Sequence, residues 1–425
     1  MDDVAQQEIG SDAEAVAIYK NRRKMSARGV PTLDREKTVA LAKRLIAAVK
    51  NKTASLADGI MEVETATYND PALYQTEMRA IFDRLPFIAG LSSELKAPGD
   101  YLNIDEFGMP ILVVRNKQGV VKAFVNSCRH RGSALTFCKS GNAGGGFSCP
   151  YHGWSYNLDG KLLGVAHASD FGEVDKSELG LIEVMAEERH GIIFVATRPG
   201  VTFDLSDYLG PEMEDELSRW NLSELQLAKT GLIELDGNWK LTLEAFLETY
   251  HFDVAHSDNL ALVSWGMQTE CRPMGKHMFF GIPLKSILEL ENQPEEEWIP
   301  EEHILMGYIL YRGILMNMSP SVCAYYSLYP MSLHRSGVRT STYMRMDLSQ
   351  PENQALGEQT WENQYSTVLR QDYPFGITSP HAAIKNGGNP KFLFGRPELG
   401  LQHMLKVTRK LVAEQEARDA GETGG

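Results

Sequence analysis

The hydrophobic pattern changes period along this chain. Over residues 13–50 the segments AEAVAIYKNRR and TVALAKRLIAAVK carry apolar residues at three- and four-residue spacing, with Pro31 between them, which predicts a helical N-terminal arm. Such an arm either wraps a neighbouring subunit or packs on its own chain. Beyond about Met61 the pattern shortens to strands. Residues 110–114 and 120–125 flank NKQG, and residues 155–156 and 161–163 flank NLDG, so two hairpins are predicted, with a further strand at 192–195. Later, residues 308–318, 321–331 and 340–346 read as apolar strands of a second sheet. The acidic, proline-containing stretch 289–302 (ELENQPEEEWIPEE) is expected to be a surface loop over the entrance of a site, and the terminal EQEARDAGETGG to be disordered. The expected division is an arm over 1–80, a small antiparallel β domain over 81–203, a second domain over 204–412, and a tail over 413–425.

Composition narrows the class. The chain has 425 residues, of which 43% are hydrophobic and 23% charged, as expected for two or three globular domains. Its formal charge of −14 argues against nucleic acid or an anionic membrane as partner. No apolar run approaches the roughly 20 residues of a membrane span. The acidic start MDDVAQQEIG lacks the basic and apolar regions of a signal peptide, so a cytoplasmic location is expected.

The most specific chemistry lies between Cys128 and His152. Cys128-Arg129-His130 and Cys149-Pro150-Tyr151-His152 supply two thiols and two imidazoles in two similar halves. A Rieske [2Fe–2S] cluster needs that inventory, two thiolates on one iron and two histidines on the other. A tetrahedral zinc site is the alternative, but zinc motifs usually pair Cys with Cys and His with His. Glycine follows each half, at Gly132 and Gly153, so each can sit on a tight loop. The segments CRHRGSAL and CPYHGWSYNLDG resemble the Rieske domain of bacterial ring-hydroxylating oxygenases, with GNAGGG at 141–146 as a loop insertion. Tyr151 stands where respiratory Rieske proteins have a disulfide cysteine, so the resemblance is to the oxygenase type. Cys138, Cys271 and Cys323 are expected to be buried free thiols.

A second constellation follows Asn238. Glu248 precedes His251 by three residues and shares its helical face. His256 lies five positions beyond His251, about 140° round an ideal helix, so one metal is shared only if the helix bends or ends there. The pattern NWKL…E…YH…H resembles the mononuclear iron site of the Rieske oxygenase α subunit, over about residues 80–410. In that resemblance His251 and His256 are iron ligands. Asp372 in RQDYPFG is the carboxylate ligand, with Glu362 as the alternative. Two histidines and one carboxylate leave positions open for dioxygen and substrate. Glu248 is the carboxylate that relays electrons from a neighbour's cluster, with Asp253 as its fallback. The family more often has Asp at 248 and Asn at 245, where this chain has Glu and Ala.

The resemblance implies an α+β protein with a Rieske domain followed by a helix-grip (START-like) catalytic domain. Cys128, His130, Cys149 and His152 would hold the cluster, and Fe(II) would sit at the second site. The implied activity is hydroxylation of an aromatic or other hydrophobic molecule with O2, as cis-dihydroxylation or monooxygenation. Oxidative O- or N-demethylation is the alternative, and a pure Rieske electron carrier a more distant one. No dinucleotide fingerprint occurs, so NAD(P)H would act through a separate reductase or ferredoxin. A homotrimer, with or without β subunits, is implied. Phe246, Phe252, Leu260, Met316 and Met318 are candidate pocket residues.

Overall fold

The computed structural model describes residues 34–422 except Phe107. AEAVAIYKNRR therefore lies outside the described residues. The second predicted helix is Arg35–Asn51, capped by Asp34, whose carboxylate accepts from Lys37 N. Its apolar face, with Val39, Ala42, Leu45 and Ile46, belongs to a core shared with the later sheet through Phe279 and Met306. The strand Met61–Glu64 then pairs antiparallel with Lys391–Phe394. Over its described residues the expected arm is therefore packed with the later sheet of its own chain. Burial of the helix's apolar stripe there, rather than on a neighbour, is what fixes it.

The next layer is all β. A five-stranded antiparallel sheet runs Glu183–Val184, Val121–Val125, Ile111–Arg115, Asp100–Ile104, Ser140–Asn142. A three-stranded sheet joins Ala186–Arg189, Ile192–Val195 and Phe87–Leu91, and another joins Gly146–Ser148, Ser155–Asn157 and Leu162–Gly164. Both predicted hairpins are present. The loop with Cys128 and His130 lies between Val121–Val125 and Ser140–Asn142 of the five-stranded sheet, and the loop with Cys149 and His152 joins Gly146–Ser148 to Ser155–Asn157 of the third.

A seven-stranded antiparallel sheet follows, in the order Gln226–Asp236, Arg335–Met344, Val322–Ser332, Ile314–Met318, Ile304–Leu310, His277–Pro283, Glu270–Met274. Both of its faces are covered. Phe279, Tyr308, Met316 and Tyr325 face one core, and Phe280, Ile309, Leu315 and Tyr326 face the other. Strands buried on both sides read as unbroken apolar runs, without alternation. For that reason 308–318 reads as one strand, whereas the chain turns at Tyr311–Gly313 between two; Tyr311 and Arg312 are buried in the turn. Arg312 Nη1 donates to Phe82 O at 2.8 Å, which satisfies the guanidinium there.

Three other expectations change. The tail is helical through Glu422 as the end of Leu399–Glu422, with Val412 and Gln415 buried. The 289–302 stretch forms short 3-10 turns anchored by Arg35, whose Nη1 donates to Trp298 O at 2.7 Å, and none of it lines the cavity described below. Cys138 is exposed, and Cys271 half-buried, while none of the five cysteines forms a disulfide. Among the described residues no helix is long and apolar enough to cross a membrane.

Candidate metal centres and the cavity beside them

The two halves of the first motif fold alike. Cys128 N donates to Ser133 O at 2.8 Å and Gly132 N to Cys128 O at 2.9 Å. In the second half Cys149 N donates to Trp154 O at 2.8 Å and Gly153 N to Cys149 O at 3.0 Å. Gly132 and Gly153 hold φ of 77° and 71°, left-handed values that close each loop at little cost for glycine. Both sulfurs belong to buried residues, and the His130 and His152 rings lie 4.5 Å apart. His130 stacks on Trp154 at 5.0 Å, and its buried Nδ1 has no hydrogen-bond partner. Burial alone would raise the Cys149 thiol, but the backbone N–H groups of His152 and Tyr151 outweigh it and hold its pKa below the usual value. Tyr156 Oη lies 3.4 Å from Cys128 Sγ and accepts from Arg129 N at 3.0 Å. Among the described residues no three of these four potential ligands gather as closely as a single ion requires. A thiolate-stabilising loop and an unpaired buried imidazole nitrogen fit a metal cluster held by two thiolates and two imidazoles.

The second set converges. The helix Trp239–Glu244 ends before Glu248, and a single turn, Phe252–Ala255, separates His251 from His256. The break expected from their spacing is thus present. Asp372 ends Val368–Asp372, a π-helical turn continuing the helix Pro351–Thr367; such a widened turn re-aims side chains and is frequent at functional sites. His251 Nε2 and His256 Nε2 lie 3.2 Å apart, and each lies 3.2 Å from Asp372 Oδ1. The other ring nitrogens have acceptors: His251 Nδ1 meets Glu248 Oε1, and His256 Nδ1 meets Gln371 Oε1 at 2.6 Å. With Nδ1 donating in both rings, both Nε2 atoms present lone pairs toward each other and toward a carboxylate oxygen. A cation satisfies that convergence, and the donor set is that of a non-haem iron site. Glu362 instead pairs with Lys229 on an exposed face, and Asp253 is exposed and absent from the site.

Residues 86–175 match the Rieske [2Fe–2S] domain, and residues 222–414 match the catalytic domain of the ring-hydroxylating α subunit. The chain belongs to the Rieske oxygenase α-subunit family. A glycine betaine monooxygenase oxygenase subunit of Chromohalobacter salexigens is 35% identical over 221 residues, 51% of this α subunit and 48% of that protein. An anthranilate 1,2-dioxygenase large subunit of Acinetobacter baylyi is 31% identical over 218 residues, 50% and 46% of the two chains. The α subunit thus spans about half the length of the curated relatives it matches. A quaternary ammonium Rieske monooxygenase solved with L-carnitine superposes with a TM-score of 0.69 at 20% identity, covering 84% of this chain and 96% of that one. Naphthalene 1,2-dioxygenase from Rhodococcus sp. gives a TM-score of 0.64 at 19% identity, covering 88% and 97%. As a member of the family, the α subunit is a two-centre iron protein, with a [2Fe–2S] cluster and a mononuclear iron.

Beside the α subunit's histidine–carboxylate set lies a cavity with about 150 Å³ of free volume. Phe246, Phe252 and Leu260 line it as expected, whereas Met316 and Met318 do not. Strand side chains alternate, so Leu315 and Asn317 face the cavity and the two methionines face the opposite core. Several contributors had no signal of their own in the sequence. Gln371 orients His256, and its Nε2 in turn donates to Asp258 Oδ1 at 2.8 Å. The NWK segment is an anchor: Asn238 Nδ2 donates to Tyr68 O at 3.0 Å, and Lys240 Nζ contacts Glu77 Oε1 at 2.6 Å.

Glu244, four residues before Glu248, accepts from Tyr68 Oη at 2.8 Å. Burial pushes its pKa from 4.5 up to about 8, against the opposing effects of Tyr68 and Lys240. A carboxyl with a raised folded pKa keeps a proton that the unfolded chain has lost, so stability falls as pH rises from about 4.5 to about 8. Glu244→Gln keeps an acceptor for Tyr68 and removes that loss. Its melting temperature should equal the parent's at pH 4 and exceed it by about 3 °C at pH 8.5, read by calorimetry; a gap independent of pH would refute the assignment.

Proposed function

We propose that this α subunit is the oxygen-activating component of a multicomponent oxygenase that hydroxylates an apolar small molecule. The observation that carries the reading is the convergence of His251 Nε2, His256 Nε2 and Asp372 Oδ1 on one point at the wall of a largely apolar cavity. When bound there, iron supplies dioxygen activation, and the chain's residues position the substrate beside it and limit water. Cys128, Cys149, His130 and His152 hold the cluster that receives electrons from NAD(P)H through a separate reductase or ferredoxin. Five cysteines without a disulfide accord with a cytoplasmic setting.

In this reading Glu248 links the two centres between subunits. Its Oε1 meets His251 Nδ1, while Oε2 accepts from His251 N at 3.1 Å. Exposed apolar residues sit at both ends of such a contact: Tyr151 and Phe171 beside the cluster histidines, Tyr250 and Val254 beside Glu248. Two different apolar patches on one chain make a head-to-tail interface that closes into a ring, and a homotrimer is the proposed assembly. Glu248→Gln should leave both metal centres intact and slow single-turnover oxidation of the cluster about 10–100-fold, followed by stopped-flow absorbance. An unchanged rate would remove the relay role.

Low-temperature EPR of dithionite-reduced holoprotein exposed to nitric oxide tests the whole reading in one sample. A reduced Rieske signal together with a high-spin iron–nitrosyl signal is expected. The cluster signal alone, in iron-supplied protein, would reduce the chain to an electron carrier.

A further inference from the structure

The cavity beside His251 and Asp372 has an uneven chemistry. Its apolar wall comes from the sheet, with Phe280, Leu315 and Tyr326, and from Phe246 and Phe252. Its only acids among the described residues are Glu248 and Asp372, both engaged with the histidines. No lysine or arginine among the described residues lines it. Away from the metal position, a carboxylate entering this space would lose its hydration without gaining a side-chain counter-ion, which is strongly unfavourable. Glycine betaine, carnitine and anthranilate, named for the relatives above, all carry a carboxylate.

The polar character that remains comes chiefly from the amides of Asn259, Asn317, Asn363 and Gln364, and two of the four are engaged. Asn259 Nδ2 donates to Gln371 at 2.8 Å, and Gln364 Oε1 accepts from Thr342 Oγ1 at 2.6 Å. Asn363 differs. It lies on the helix Pro351–Thr367 at the cavity wall, and its buried Nδ2 has no hydrogen-bond partner. Most buried amides are paired, and an unpaired one at a cavity wall is a vacant donor.

We propose that Asn363 is the polar anchor of an uncharged substrate: its side-chain amide donates to an oxygen acceptor of the substrate, while the hydrocarbon body packs on Phe246, Phe280 and Tyr326. This rests on the oxygenase reading above and narrows its substrate class to neutral apolar molecules bearing an acceptor oxygen. An apolar cavity of about 150 Å³ accommodates a benzene-sized body, so one-ring probes suit it.

The test is calorimetric titration of the anaerobic, reduced holoprotein with four one-ring probes: acetophenone, ethylbenzene, benzoate and phenyltrimethylammonium. Acetophenone should bind about 10-fold more tightly than ethylbenzene, its near-isostere without an acceptor, and both ions should bind more weakly than either. Asn363→Leu should erase the preference for acetophenone while leaving ethylbenzene unchanged or tighter. Asn363→Asp, which preserves size, should lose acetophenone and still reject benzoate; it serves if the leucine variant fails to fold. Equal affinities for the two neutral probes in the parent, a preference that survives both variants, tighter binding of either ion, or no binding of acetophenone would each overturn the proposal. These affinities are read without turnover. A missing iron–nitrosyl signal would instead strike the oxygenase reading.

Discussion

Asp372→Ala should strip the α subunit of its mononuclear iron while leaving the cluster spectrum unchanged. Asp372 contributes the only anionic oxygen in the set formed with His251 and His256, and all three atoms are spaced 3.2 Å apart. Without it, two neutral imidazoles remain, and a divalent ion loses both a ligand and the charge that offsets its own. The affinity loss should exceed the 10–100-fold typical of disturbing an outer partner. Iron content by metal analysis and the nitrosyl EPR signal are the measurements. Glu362→Ala is the control, because Glu362 pairs with Lys229 on an exposed face and should retain full iron. If the glutamate variant lost iron and the aspartate variant kept it, the third ligand would be misassigned.

The second large effect is reciprocal. Cys149→Ser should abolish the visible absorbance and the reduced Rieske EPR signal, yet preserve the iron–nitrosyl signal. Cys149 lies in the small core formed with Cys128, Phe147, Trp154 and Tyr156. Backbone N–H groups that lower its thiol pKa favour a thiolate, and a serine hydroxyl, much harder to ionise, cannot replace it. Metal binding and folding are linked in small metal-bearing cores, so the loop pair should also lose protection against proteolysis. A retained spectrum would mean that the sulfur donor is elsewhere. Together the two variants separate the centres, since each silences one signal and spares the other.

How far the sequence alone revealed this site differs from residue to residue. Cys128, His130, Cys149 and His152 sit within two short loops, so their spacing carries their geometry. His251 and His256 were legible as a pair only on condition of a broken helix, and the structure supplies that break. Asp372 depends on a π-helical turn more than a hundred residues later, which no local pattern encodes; the family resemblance, and not spacing, singled it out. The amides were invisible: Asn317, Asn363 and Gln371 are ordinary polar residues until the sheet and helix face each other. Met316 and Met318 illustrate the limit for strands. A run buried on both faces gives no alternation from which to tell the cavity side from the core side. The N-terminal helix was recognisable from its period, but its partner was not, because an apolar stripe fits its own sheet as well as a neighbour's.

The pairing of Met61–Glu64 with Lys391–Phe394 has a consequence for biosynthesis. That strand must wait at the ribosome until Lys391–Phe394 has emerged, and so must the catalytic layer it helps to close. The cluster-bearing sheets close among themselves, between Phe87 and Val195. Domains generally fold as units in order of synthesis. A nascent chain whose Val195 has cleared the ribosome should therefore already present a finished pair of ligand loops to the iron–sulfur assembly machinery, while the site for the single iron does not yet exist.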